Sequence, residues 1–376
     1  MSIKVITLAL LALFIGTAFI ACTGPRGWPG VTIEGNTLFA ATMDGRLLAL
    51  NPDDASVEWD WQPSKTSVTN PIGCGSGGLA ARGGKFYASP VIAQGIAYVG
   101  TFTGQVYAID AITGQEIWHY NMNTAIVGGM AIDNSTLLLG TSDGKLHALD
   151  ISGDYPSETF TFSAGGAIWS TPVVNNGTVY FGSLDHNLYA LDATTEQTKW
   201  VFQAGGEIVD TPLVLDGTVY VGSLDNKLYA IYADTGKPKW VFAEAGNWFW
   251  SNPISSNGII YAGSFDHYVY AINAGNGTPI WSKPFETGGP IYSSPTVSAE
   301  TLVVASDDGK IYGIDLATGS ERWQLDTKSK PLSSLYSVGD QVYVNTQGNV
   351  LWAVNARNGD VIWRLSFGKG EVRKLD

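Results

Sequence analysis

Residues 106–118 read VYAIDAITGQEIW, and their shape recurs along the chain. Tyr107 and the small Ala108 lead to Asp110; a Thr-Gly turn follows at Thr113 and Gly114, and Trp118 stands ten residues after the alanine. Aligned on the small residue, the copies centre on Ala49, Ala108, Ala148, Ala190, Ala230, Ala271, Gly313 and Ala353. Successive spacings are 59, 40, 42, 40, 41, 42 and 40. Seven copies carry a tryptophan ten residues on: Trp59, Trp118, Trp200, Trp240, Trp281, Trp323 and Trp363. The third copy, two residues longer, ends on Phe160 and Phe162. A period near forty means a solenoid, a propeller or an array.

The unit itself separates these. Residues 170–204 hold four short runs rich in β-branched and aromatic residues, PVV, TVYFG, LYAL and KWVF, divided by Asn-Gly, Asp-His and Thr-Glu pairs. That pattern predicts four strands joined by tight hairpins. A lone four-stranded sheet cannot bury both faces. Eight stacked around an axis can, and ring closure protects their edges. The expected fold is therefore all-β, an eight-bladed propeller of four-stranded antiparallel blades spanning residues 31–376.

The segment from Ala108 to Trp118 resembles the tryptophan-docking motif of quinoprotein-type (PQQ-like) β-propellers, and Gly313 to Trp323, GIDLATGSERW, resembles it nearly as well. Copies at 230–240, 271–281 and 353–363 keep the turn glycine; those at 49–59 and 190–200 lose it. The resemblance implies that the seven tryptophans are structural, each docking one blade on the next. It is specific for fold and not for function.

The chain has 376 residues and a formal charge of −13. Such an acidic balance argues against nucleic acid, which requires basic patches to displace counterions. Residues 1–4 form a short basic start and residues 5–20 an apolar run, followed by Phe19-Ile20-Ala21-Cys22. This reads as an export signal over 1–21. Its end resembles a bacterial lipobox with Cys22 as the lipidated residue, although phenylalanine stands where leucine is usual. A plain signal peptide or an anchor helix are the alternatives, and all three place the ring outside the cytoplasm. Residues 22–30 are a Gly/Pro linker. With Cys22 lipidated, Cys74 has no disulfide partner.

One irregularity interrupts the repeat. Trp59 and Pro90 stand 31 residues apart, and residues 62–88 form a Gly-, Ser- and Pro-rich insert. Blade topology puts it on the top face with the Asp-Gly-type hairpins, and the Thr-Gly turns on the bottom. The residues GKGEVRKLD after Phe367 read as a polar tail.

Candidate chemistry is sparse. His186 and His267 occupy the second hairpin position, where other copies have Gly45, Gly104, Gly144, Gly309, Gly348 or Asn226, and turn geometry explains them. The recurring hairpin aspartates Asp44, Asp143, Asp185, Asp225, Asp266 and Asp308 read as turn initiators. No two histidines have metal-ligand spacing. One set stands out: residues just before the inner strands hold Tyr87, Trp169, Asp210, Trp250, Tyr292 and Ser293, with Trp248 close by. Blade docking does not need aromatics there, so they line a recognition funnel or plug the channel.

Two functions follow. The chain resembles the eight-bladed lipoproteins of outer-membrane β-barrel assembly. That resemblance implies a non-catalytic scaffold, a monomeric ring held at a membrane by its lipid, binding other envelope proteins or exported polypeptides. The alternative is a PQQ-dependent dehydrogenase or a small-ligand propeller. Quinoprotein dehydrogenases use adjacent cysteines, a calcium-binding acidic/amide set and a catalytic aspartate. No Cys-Cys pair exists here and no such set aligns, so neither PQQ nor calcium is expected.

Overall fold

The computed structural model describes residues 29–63, 85–331, 333–367 and 372–375. All regular structure in them is β-strand, arranged as eight antiparallel sheets, each built from consecutive strands. Call the strands of a blade A to D from the axis outward. Blade four has A at Val173–Asn175, B at Thr178–Gly182, C at Asn187–Asp192 and D at Thr198–Gln203. These are the four runs expected from residues 170–204.

Burial explains the sequence pattern. B is buried throughout and C at its four central residues, because neighbouring blades cover both sheet faces. Such strands read as continuous apolar runs. D alternates, burying Trp200 and exposing Lys199 and Val201, because it forms the outer rim. Except in blade six, each anchor pairs directly with its D-strand partner, as in Ala108 with Trp118 and Ala190 with Trp200, and a register shift follows at the next residue. The small anchor leaves room for the indole; a Cβ on Gly313 would lie 2.2 Å from the Trp323 ring.

The tryptophans join blades rather than strands. The Trp59 Nε1 donates to the Ala111 carbonyl in the next blade's C–D turn at 3.0 Å. Trp200, Trp240, Trp281 and Trp323 repeat this with Ala233, Ala274, Leu316 and Ala356. The turn glycine lies against the same ring: a Cβ on Gly114 would come within 2.7 Å of Trp59. Gly114 has φ +70°, as do its counterparts within a few degrees, so the residue must be both left-handed and small. Where the glycine is missing, Ala55 and Glu196 hold the same left-handed conformation.

Blade eight closes on blade one by the same device. The Trp363 Nε1 donates to the Pro52 carbonyl at 2.8 Å. The Arg46 guanidinium reaches the Phe367 carbonyl, and the Asn345 amide reaches the carbonyls of Pro29 and Ala41. Every blade keeps its own four strands, so side-chain packing, not a shared sheet, seals the ring.

Three expectations need correction. The stretch after Phe367 is not merely a tail: Arg373–Leu375 pairs antiparallel with Val361–Ser366 as a fifth strand of blade eight, and the Lys374 ammonium reaches the Asp54 carbonyl of blade one. In the last hairpin the positive φ belongs to Asn349, not Gly348. The hairpin aspartates of blades four to seven do more than start turns. Asp185, for example, accepts the Asn187 amide at Oδ1, and at Oδ2 the Gly165 amide and the Tyr189 hydroxyl. It thereby ties hairpin, C strand and crossover together. Cys22, Cys74 and most of the 62–88 insert lie outside the described residues.

Replacing Trp200 by alanine empties a seat and leaves the Ala233 carbonyl without its donor. The expected loss is about 3–5 kcal/mol, read from urea denaturation, with Trp200→Phe losing less because the ring is kept.

Candidate functional site

The A strands begin just below the top face, and the residue two before Thr171-Pro172 or its equivalent stands at the funnel mouth. Register makes Tyr87, Val127, Trp169, Val209, Trp250 and Tyr292 counterparts. The residue before each of them is apolar and buried: Phe86, Ile126, Ile168, Ile208, Phe249 and Ile291. These pack on the preceding blade, as Ile208 does on Gly182; of the residues that follow them, Tyr87, Trp169, Trp250 and Tyr292 are half-buried, and Val127 and Val209 are buried.

The expected aromatics fall into three places. Trp248 and Trp250 of blade six and Tyr292 of blade seven gather around Phe265, with centroid distances of 5.7, 5.8 and 4.7 Å. Phe265 lies in the B–C hairpin of blade six and is itself buried, whereas the three rings around it are half-buried. Tyr87 stacks on Phe102 of the blade-two hairpin at 5.0 Å. Trp169 sits alone in blade four, half-buried, its Nε1 enclosed without a hydrogen-bond partner. The five expected aromatics therefore do not form one ring of contacts. Three of them form a single patch.

Phe265 and Phe102 were missed because they occupy hairpins that read as turn chemistry. The available signal was positional: they hold the first hairpin residue, where blades four and five have Leu184 and Leu224. An aromatic at that position props the funnel-mouth aromatic of its own blade. Burial, reinforced by the Asp307 carboxylate, pushes the Tyr292 phenol up to about 12, and burial raises the Tyr87 phenol as well. Both remain neutral donors across the physiological range.

Asp210 departs from expectation. It is only 2 % exposed, so it offers nothing to a partner at the mouth. It stands where blades six and seven have Ser251 and Ser293. The Ser251 hydroxyl accepts the Gly263 amide and donates to the Gly263 carbonyl, clasping A to B. Asp210 Oδ2 accepts the Gly222 amide at 2.8 Å, but Oδ1 is buried without a partner. Burial raises the carboxyl well above its usual value, only partly opposed by the Gly222 amide. Burial at this position disfavours the charged carboxylate.

The histidines have local explanations. His186 and His267 take φ of 75° and 77° in their hairpins. His147 is buried, with Nδ1 2.6 Å from Glu158 and Nε2 3.2 Å from the Thr141 hydroxyl. His119 lies 2.7 Å from Glu116 on the outer rim. Among the described residues no three His, Cys, Asp or Glu side chains converge as a metal site, and no helix is long and apolar enough to cross a membrane.

The raised carboxyl sets a pH dependence. Below about pH 4 both the folded and unfolded chains hold the Asp210 proton, and no penalty exists. As pH rises, the unfolded chain ionises first, so stability falls until the folded carboxyl also ionises. Asp210→Ser should therefore gain stability relative to the parent as pH rises from 4 to 8, measured as the difference in urea unfolding free energy.

A family model described as outer membrane protein assembly factor BamB matches residues 23–155, 156–258 and 265–373. The outer membrane protein assembly factor BamB of Burkholderia pseudomallei is 26 % identical over 301 residues, covering 76 % of this chain and 77 % of that protein. The protein of the same name from Shewanella oneidensis is 27 % identical over 128 residues, covering 33 % of this chain. That alignment spans only 28 % of the Shewanella protein. Among solved structures, BamB from Moraxella catarrhalis superposes with a TM-score of 0.67 at 19 % identity, covering 88 % of this chain and 94 % of that one. A computationally designed protein, Ika8, superposes with a TM-score of 0.66 at 16 % identity, covering 76 % and 91 %. At these identities the structural likenesses speak to fold alone.

Proposed function

This chain belongs to the outer membrane protein assembly factor BamB family, and on that premise we propose that it is a non-catalytic scaffold of a bacterial cell envelope. It binds other envelope proteins or exported polypeptides at its top face and needs neither PQQ nor calcium. The observation that carries this reading is the patch of Trp248, Trp250 and Tyr292 around Phe265. Large aromatics on a concave, partly desolvated surface are the usual energetic centre of a protein interface. Phe265 fixes their rotamers in advance, which lowers the entropy lost on binding. Tyr87 on Phe102, and Trp169, supply further contact points around the same mouth.

The sequence supports the non-catalytic half. Its two cysteines, Cys22 and Cys74, are far from adjacent. The strongly raised carboxyl at the mouth, Asp210, is sealed from any substrate. Charge adds direction: a chain of −13 attracts basic partners at low salt, an effect that fades above a Debye length. The anchor we assign is a lipid on Cys22, joined to blade one through residues 23–30, so that one propeller works as a tethered monomer.

Trp250→Ala combined with Tyr292→Ala should weaken recovery of outer-membrane β-barrel proteins and their assembly partners in pull-downs from native envelope, identified by mass spectrometry. The melting temperature should stay within a few degrees of the parent, because the seats between blades are intact. Unfolding of the double variant would mean the patch is a plug; unchanged recovery would move the partner to another face. Separately, intact mass of the membrane-extracted protein should include a diacylglycerol on Cys22, and Cys22→Ser should remove it and release the chain from the membrane.

A further inference from the structure

The bottom face carries a defect in the ring that repeats nowhere else among the described blades. At the seam between blades three and four the docking pair is replaced: Leu138 stands for the B-strand tyrosine and Phe160 for the tryptophan. In blade four the same pair is Tyr180 and Trp200, 5.7 Å apart, and both donate to the Ala233 carbonyl of the next turn. The counterpart carbonyl at the defective seam is that of Ala193, and neither Leu138 nor Phe160 has a proton to give it. An open cavity of about 70 Å³ occupies the vacated seat, lined by Leu138, Ala148, Phe160, Val179, Leu191 and Ala193.

The rim is polar and one-sided. Asp133, Thr136, Asp192 and Glu196 border the cavity. In blades four, five and seven the residue before the tryptophan is a cation that reaches the B-strand threonine: Lys199 to Thr178 at 2.7 Å, Lys239 to Thr218 at 3.2 Å, and Arg322 to Thr301 at 3.1 Å; in the other four tryptophan-bearing blades that residue is Glu58, Ile117, Ile280 or Ile362. Blade three has Thr159 there, so Thr136 lacks that partner as well. Glu196 supplies a Cβ where other turns have glycine, but Ala55 does the same beneath Trp363 in a seat that holds its indole. A Cβ at that position is thus compatible with an occupant.

We propose that this seam is a binding site for a tryptophan preceded or followed by a lysine or arginine in a partner polypeptide. The indole is read from the chain itself, in which a tryptophan fills the seven other seats, three times after a cation as Lys199-Trp200, Lys239-Trp240 and Arg322-Trp323; the acidic rim of Asp133, Asp192 and Glu196 is what favours a cation beside it here. Phe160 keeps part of the seat, so the entering indole inserts edge-first with its N–H toward the Ala193 carbonyl. The neighbouring cation meets Asp133 and Glu196. The site lies on the face opposite the funnel and stands whether or not partners use the funnel.

The test is a fluorine NMR titration of acetyl-Lys-(5-fluorotryptophan)-Lys-amide with the mature full chain. Saturable broadening is expected. Phe160→Trp, which refills the seat from within, should weaken binding by about tenfold or more. Glu196→Gln should weaken it by a smaller factor, and weaken it less for a peptide with neutral flanks. If Phe160→Trp does not fold, Leu138→Tyr closes the same seat and restores a donor to Ala193. Binding that is absent, that survives both filling variants, or that is equalled in competition by acetyl-Lys-Ala-Lys-amide would overturn the proposal.

Discussion

The ring depends on one repeated contact: an indole from a D strand, seated against the C–D turn of the next blade with its N–H on that turn's carbonyl. Strand pairing holds each blade together but says nothing to the next, since each sheet is made only of consecutive strands. The indole supplies the missing link with a large apolar area and one directed bond. The bond fixes the angle, and the area supplies most of the energy. The small anchor opposite the tryptophan and the left-handed residue beneath it follow from the same need, because both must clear the ring.

Where that contact lapses, other residues relax together. Blade three has lost its Thr-Gly turn as well as its tryptophan, and Trp118 of blade two meets the exposed Tyr155 edge-on at 6.5 Å instead of a turn carbonyl. At the following seam, Phe160, Leu138 and Glu196 stand where most other blades have tryptophan, tyrosine and glycine. The turn residue is the most tolerant of these positions, since Ala55 stands there beneath a seated Trp363. The defect is a correlated set in one place, which is why it leaves an open cavity rather than a scattered loss of packing.

The top face follows a different logic. Crossovers there are held from below by a buried apolar residue in blades two to seven and by the Ser or Thr that closes each hairpin, all eight of which are buried. With the backbone fixed, the residue at the rim is free of structural duty, and aromatics can collect there. Asp210 shows the limit of that freedom. One residue further along the chain, the side chain turns inward to clasp A to B, and burial of a carboxyl there raises its proton affinity.

The fold was legible in the sequence because it rests on local chemistry repeated eight times: strand runs of β-branched residues, left-handed hairpin positions, and a tryptophan at fixed distance from a small residue. Even the lost glycines at Ala55 and Glu196 did not hide it, since the tryptophans kept the count. Tertiary structure alone decided the rest. It paired Trp250 with Tyr292 through Phe265, across two blades and a hairpin whose sequence speaks only of turns. It buried Asp210 while leaving Trp169 half-exposed four tens of residues earlier in the ring. It turned the last residues into a fifth strand and put an empty seat beside Phe160. These depend on which side chains meet across blade boundaries, and contacts between residues forty or three hundred positions apart leave no periodic mark in a single chain.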